Sequence, residues 1–126
     1  MPCILLVDDS ETVREELRQI LEAEGFDVIG AEDGKAGFDL AAQRIDDIDL
    51  MVSDYHMPLQ NGLDMLDEMR TKLNAKFQVL MLTTETSPEL KQQAKELNVM
   101  GWVLKPVEGS KFLIAVKMAI SRGKIA

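Results

Sequence analysis

The sequence predicts an α/β domain with a doubly wound, five-stranded parallel sheet and helices on both faces. Two observations carry this expectation. First, four short apolar runs, Ile4-Leu5-Leu6-Val7, Leu50-Met51-Val52-Ser53, Val79-Leu80-Met81-Leu82 and Trp102-Val103-Leu104, are continuous rather than alternating. Runs of this kind suit strands buried on both faces, as in a parallel sheet. Second, helix-length segments with their own start signals separate the runs, as right-handed crossovers require.

The elements follow in order. After the first run, Ser10 can cap a helix in which Val13, Leu17, Ile20 and Leu21 share one face, and Glu24-Gly25 ends it. A second strand is expected near Asp27–Ala31, followed by a helix capped by Asp33 that carries Phe38 and Leu40-Ala41. The third strand leads to Asp54. A loop with Pro58 and Gly62 then opens a helix through Leu63, Leu66 and Met69. The fourth strand ends at Thr83. Ser87-Pro88 pairs a cap with proline at the first helical position, and that helix runs to about Leu97. Asn98 and Gly101 close the next turn, and the fifth strand ends at Lys105. The last helix starts near Gly109-Ser110 and turns Phe112, Val116, Ala119 and Ile120 inward.

Composition narrows the function classes. The chain has 126 residues, 46% of them apolar, which suits one domain with a real core, residues 1–126, and no separate output domain. Lys and Arg number 14 against 22 Asp and Glu, a net charge of -8. Such a chain has no broad basic face, so no nucleic-acid partner is expected. No apolar stretch reaches membrane-spanning length and the start lacks a signal-peptide pattern, so no membrane association is expected. The lone Cys3 fits a reducing cytoplasm and reads as a small core residue of the first strand.

The chemistry gathers at the strand ends. Asp8-Asp9, Asp54, Thr83 and Lys105 each follow an apolar run, and ligands of open α/β sheets bind outside the carboxyl ends of the strands. If the strand order is 2-1-3-4-5, the topological switch point lies between strands one and three and sets Asp54 beside the acidic pair. Carboxylates that close repel unless a cation sits among them. Oxygen donors without an organised Cys or His cluster favour Mg²⁺, for which Mn²⁺ can substitute. A carboxylate can serve as a covalent nucleophile toward a phosphoryl group, with Lys105 and the cation spreading the charge and Thr83 donating to a phosphoryl oxygen. Each residue alone has a blander reading, as turn former, β-compatible Thr or solvated Lys. The pattern at four strand ends argues against that.

The ordered set of Asp8-Asp9, Asp54 followed by Met57-Pro58 and Gly62, Thr83, and Lys105-Pro106 resembles the receiver domain of two-component response regulators. The resemblance spans essentially the whole chain and is closest in kind to stand-alone, chemotaxis-type regulators. It implies a flavodoxin-like (βα)5 fold. It implies that a histidine kinase or histidine phosphotransfer protein phosphorylates Asp54. It places the Mg²⁺ site among Asp8, Asp9, Asp54 and His56, with Asp9 the main ligand, Asp8 a partner acting largely through water, and the backbone carbonyl of His56 completing the protein ligands. It pairs Lys105 with the phosphoryl group through a cis Lys105–Pro106 bond, moves Thr83 toward that group, and lets Trp102 swing inward. Phosphotransfer and autodephosphorylation would be self-catalysed, with no separate enzyme activity. A monomer is expected, with dimerisation on phosphorylation left open.

Several positions depart from the commonest pattern of the resemblance. His56 is the sole histidine; it reads either as an exposed loop side chain or, with Glu85, as a gate on water access to the aspartyl phosphate. Thr84 stands where a smaller residue is usual and would narrow access to Asp54. Trp102 stands for Tyr or Phe, and packing and switching readings are both open, since the indole N–H wants a partner.

In the last helix, Ile114 and Met118 point away from the inward set, one turn apart. With Trp102 they suggest a surface on helix four, strand five and helix five for a downstream protein, the face through which receivers commonly signal. Lys91, Lys95 and Lys111 would favour an acidic partner segment there; the alternative is a solvated face. Three functions stay in view: a phosphorylation-dependent switch, a phosphate sink, and a Mg²⁺-dependent phosphohydrolase. The last lacks an Asp-x-Asp arrangement at Asp8-Asp9-Ser10, and flavin binding lacks a phosphate-cradling loop there.

Overall fold

A computed structural model describes residues 1–84 and 87–125. Among them, strands β1 (Cys3–Val7), β2 (Asp27–Ala31), β3 (Ile48–Asp54), β4 (Gln78–Thr83) and β5 (Gly101–Leu104) alternate with helices α1 (Glu11–Ala23), α2 (Gly34–Gln43), α3 (Gly62–Lys72), α4 (Pro88–Glu96) and α5 (Gly109–Arg122). All strand pairs are parallel, in the order β2-β1-β3-β4-β5. This is the flavodoxin-like arrangement that the sequence led us to expect.

The apolar runs of β1, β3 and β4 are continuous because these inner strands are covered twice, whereas the run Trp102-Val103-Leu104, expected to be buried on both faces, lies on the edge strand β5, half-buried and with Leu104 exposed. Leu5, Val7, Met51, Val79 and Met81 face one way, against Ala41 of α2, Leu63, Leu66 and Met69 of α3 and Ala94 of α4. Ile4, Leu6, Leu50, Val52, Leu80 and Leu82 face the other way, against Leu17 and Leu21 of α1 and Phe112, Val116 and Ala119 of α5. The two-residue period of a strand sends successive side chains into opposite cores. Cys3 is buried in the first of them.

Helix starts follow local capping chemistry. Ser10, Asp33 and Ser87 accept from the backbone N–H of Val13, Ala36 and Leu90, as their positions predict, and Pro88 opens α4. Two caps were not singled out in the sequence, although Asn is a preferred cap residue. Asn61 accepts from Asp64 N at the head of α3, and Glu108 accepts from Ser110 N and Lys111 N at the head of α5.

The structure refines two expectations. In α2 the fully buried face is Gly34, Gly37 and Ala41, while Phe38 and Leu40 lie at the rim of the core. A Cβ at Gly37 would come within 3.1 Å of Val7 and 3.0 Å of Met65, so this helix packs closer than a larger residue permits. Strand β5 ends at Leu104, one residue earlier than expected, and Lys105 begins the turn.

Register sets the chemical end of the sheet. Val7 pairs with Ser53, Asp54 with Leu82, and Thr83 with Leu104. The residues just past β1 and β5 therefore come level with the ends of β3 and β4.

Candidate functional site

Asp8 directly follows β1 and is fully buried, whereas its neighbour Asp9 is exposed. The Asp8 carboxylate is held on both oxygens. Oδ1 accepts from Ser10 N at 2.9 Å, and Oδ2 accepts from Lys105 Nζ at 3.1 Å. Asp54, the last residue of β3, is 4% exposed. Its Oδ1 accepts from His56 N at 3.2 Å, and its Oδ2 lies 3.1 Å from Lys105 Nζ. Carboxylate oxygens of Asp8, Asp9 and Asp54 all lie within 4.8 Å of one another.

Two backbone features shape this cluster. The Lys105–Pro106 peptide bond is cis, and Lys105 N donates to Thr83 O at 2.8 Å. Gly62 opens α3 against the end of β3: a Cβ there would stand 2.5 Å from Asp54 O and 3.2 Å from Ser53 Oγ. Only glycine lets the helix begin this close to the Asp54 backbone.

The electrostatics are unbalanced. Burial first, and then the Asp8 charge, push the Asp54 carboxyl above the usual carboxylate range, against the opposing pull of Lys105 and the His56 N–H. Burial pulls the Lys105 ammonium down, but its bonds to Asp8 and Asp54 outweigh this and hold it above the ordinary lysine value. Among the described residues, three carboxylates meet one ammonium, an excess of negative charge that a divalent cation would balance. An all-oxygen donor set of this charge, partly open to solvent at Asp9, fits Mg²⁺.

Thr83 is buried at the end of β4, and Thr84 beyond it is exposed. Glu85 lies outside the described residues. The His56 side chain is exposed, its ring edge-on to Tyr55 with centroids 4.8 Å apart. Tyr55 in turn meets Trp102 edge-on at 6.1 Å. Sequence reasoning did not single out Tyr55; its place directly after Asp54 was the available signal. Trp102 is half-buried against the core under α2, α3 and α4.

The family model for the response regulator receiver domain matches residues 4–117. The chain belongs to that family. This receiver is 29% identical to the transcriptional regulatory protein PdtaR of Mycobacterium tuberculosis, over 94% of this chain and 57% of PdtaR. It is 34% identical to the transcriptional regulatory protein CpxR of Escherichia coli, over 94% of this chain and 49% of CpxR. The chain thus spans about half the length of these two curated relatives. Among solved structures, the chemotaxis protein CheY4 of Vibrio cholerae superposes with a TM-score of 0.87 at 34% identity, covering 94% of this chain and 98% of that one. Receiver domains are phosphoacceptor switches of two-component signalling, and the family binds Mg²⁺ at an acidic pocket. None of the described helices is long and apolar enough to cross a membrane.

Proposed function

We propose that this receiver is a phosphorylation-dependent switch in which Asp54 is the phosphoacceptor. The observation that carries this reading is the contact of Asp54 with both a cation-binding acidic pair and a lysine: the three carboxylates lie within 4.8 Å, and Lys105 Nζ is 3.1 Å from Asp54 Oδ2. Asp9 would be the chief ligand of the cation, with Asp54 beside it, Asp8 acting largely through water and the His56 carbonyl completing the protein's share; Mn²⁺ would substitute for Mg²⁺. The cation, when bound, neutralises charge on the transferring phosphoryl oxygens.

The chain's own residues do the rest. Burial and the Asp8 charge raise the Asp54 carboxyl against the pull of Lys105, which makes its carboxylate the more basic and hence the better nucleophile once ionised. The phosphorus–nitrogen bond of a phosphohistidine, on a histidine kinase or a histidine phosphotransfer protein, breaks as the Asp54 oxygen–phosphorus bond forms; the departing imidazole takes a proton from solvent. Lys105 then pairs with the phosphoryl group and loosens from Asp8. Thr83 donates its hydroxyl to a phosphoryl oxygen, and Trp102 follows into the space that Thr83 leaves. The acyl phosphate is later lost to water without a separate enzyme.

The output face is α4, β5 and α5. Leu104, Ile114 and Met118 are 60%, 61% and 49% exposed there, beside a groove lined by Trp102, Pro106 and Ala115. Lys91, Lys95 and Lys111 are exposed and favour an acidic partner segment. A phosphate sink would need no such surface, so these exposed apolar side chains favour the switch.

The test is intact mass after incubation with Mg²⁺ and acetyl phosphate. Wild type gains one phosphoryl group, and Asp54→Asn or chelation abolishes the gain. A stable gain by Asp54→Asn at the wild-type rate would refute the assignment. A pull-down with and without a phosphoryl mimic then separates switch from sink.

A further inference from the structure

Asp9 is the exposed member of the acidic cluster, and no side-chain hydrogen bond among the described residues holds it. Its direction therefore depends on the peptide plane that carries it, the one joining Asp8 to Asp9. That plane begins one residue past the end of β1, where the sheet ladder no longer fixes it. Asp8 N still donates to the O of Ala31, the last residue of β2, at 3.1 Å. The Asp8 carbonyl is met instead by a side chain: Arg14 Nη1 donates to it at 2.6 Å. Charge-assisted bonds this short are among the stronger ones available to a carbonyl.

Arg14 is itself well seated. It lies in the first turns of α1, where its backbone N–H bonds Ser10 O at 3.0 Å, tying the helix to the same turn. Its stem crosses Gly30 of β2: a Cβ at that glycine would come 3.9 Å from Arg14 Cδ and 2.9 Å from Arg18 Nη2. Arg18 continues across the same edge to Val28 O at 3.1 Å. The side-chain-free position in β2 lets both arginines cross the sheet edge, Arg14 toward the Asp8–Asp9 turn and Arg18 toward Val28.

We infer that Arg14 is a positioning residue for the cation site, aiming Asp9 by locking the Asp8–Asp9 peptide plane. This role rests on the acidic cluster's proposed function. Among the described residues the Arg14 guanidinium bonds no carboxylate oxygen; it acts through the Asp8 carbonyl. Its loss should therefore weaken cation binding rather than the transfer step itself. Partners that orient metal ligands from behind commonly cost ~10-fold or more in affinity when removed.

The experiment compares Arg14→Met, which keeps the apolar stem without a donor, with Arg14→Lys, which keeps one donor and the charge. Mg²⁺ binding is read directly by titration calorimetry, fold integrity by thermal unfolding in chelator, and transfer from acetyl phosphate across a Mg²⁺ series. Arg14→Met is expected to bind Mg²⁺ about tenfold more weakly. It should recover the wild-type transfer rate at saturating Mg²⁺, and Arg14→Lys should fall between. If Arg14→Met does not fold, Arg14→Gln, with its donor on a shorter stem, replaces it with the same expected loss. Wild-type Mg²⁺ affinity in the folded variant, or a transfer rate that saturating Mg²⁺ does not restore, overturns the role. A wild-type chain that binds no Mg²⁺ and gains no phosphoryl group refutes the phosphoacceptor proposal itself, and with it this one. A competent wild type with an unaffected variant refutes the Arg14 role alone.

Discussion

Lys105 Nζ stands 3.1 Å from Asp54 Oδ2, reaching over the end of β4 from the turn after β5. The same ammonium reaches Asp8 beyond β3, so one cation from the sheet edge spans the ends of three inner strands. Removing it leaves two buried carboxylates without their protein counter-charge. Lys105→Ala is expected to lose about 3 kcal/mol of stability in chelator, as when one partner of a buried ion pair is deleted. Saturating Mg²⁺ should restore much of it. Urea unfolding with and without Mg²⁺ checks this; equal losses in both conditions would show that packing, not charge, holds Lys105 in place. By the proposed mechanism the variant still binds Mg²⁺ but fails to propagate the phosphorylated state.

Asp54 gives a pH signature in metal-free protein. Its carboxyl is raised by burial and by Asp8, so the folded state holds the proton more tightly than the unfolded chain. Stability contributed by this group is present below the unfolded carboxyl pKa and is lost as pH rises through the folded value. At neutral pH the ionised Asp54 therefore opposes folding when no cation is bound. Asp54→Asn should be the more stable protein at pH 7 in chelator, and the difference should shrink toward acid. Denaturant midpoints across acidic to neutral pH test it. A variant less stable than wild type at pH 7 would contradict the sign.

Gly62 couples the head of α3 to the site. A methyl group there would sit 2.5 Å from the Asp54 carbonyl, closer than real Cβ contacts come, and the obstacle is backbone. Gly62→Ala is expected to cost about 2 kcal/mol, in the range of overpacked cores. Because the displaced strand end carries Asp54, phosphorylation from acetyl phosphate should slow as well. Wild-type rates and stability together would mean that α3 shifts freely.

His56, Thr84 and Glu85 are expected to set the lifetime of the phosphorylated state rather than its formation. The His56 and Thr84 side chains are exposed, and no cation ligand is assigned to any of the three side chains. His56→Asn should change the decay rate by about tenfold, a barrier change of ~1.4 kcal/mol. Thr84→Ala should admit reactants more freely, and Mg²⁺ affinity should barely move in any variant. Decay is followed by loss of the phosphoryl group after the donor is quenched, with Trp102 fluorescence as an optical reporter. Identical decay in wild type, His56→Asn, Thr84→Ala and Glu85→Ala would remove these residues from the gate.

The sequence by itself determined the five βα units, three of the helix caps and the residues that end the first four strands. Those are short-range properties. Continuous apolar runs, a Ser or Asp before a helix and Pro88 at its first position act within a few neighbours, so they can be read without knowing what lies across the sheet. It also carried the ordered set Asp8-Asp9, Asp54, Thr83 and Lys105, because strand ends in a parallel sheet all emerge on one rim. Tertiary structure decided how each of those residues sits there. Asp8 and Asp9 are equivalent as letters, yet one is fully buried and bonded to Lys105 while the other is exposed, a division set by how the chain leaves the pleat of β1. The bond from Arg14 to the Asp8 carbonyl, the edge contact of Tyr55 with Trp102 and the closeness of Gly62 to Asp54 depend on register, crossover geometry and helix approach. Such contacts join residues through the packed fold rather than through a local pattern. No periodicity marks them, and only the assembled sheet, with its helices in place, brings them within reach.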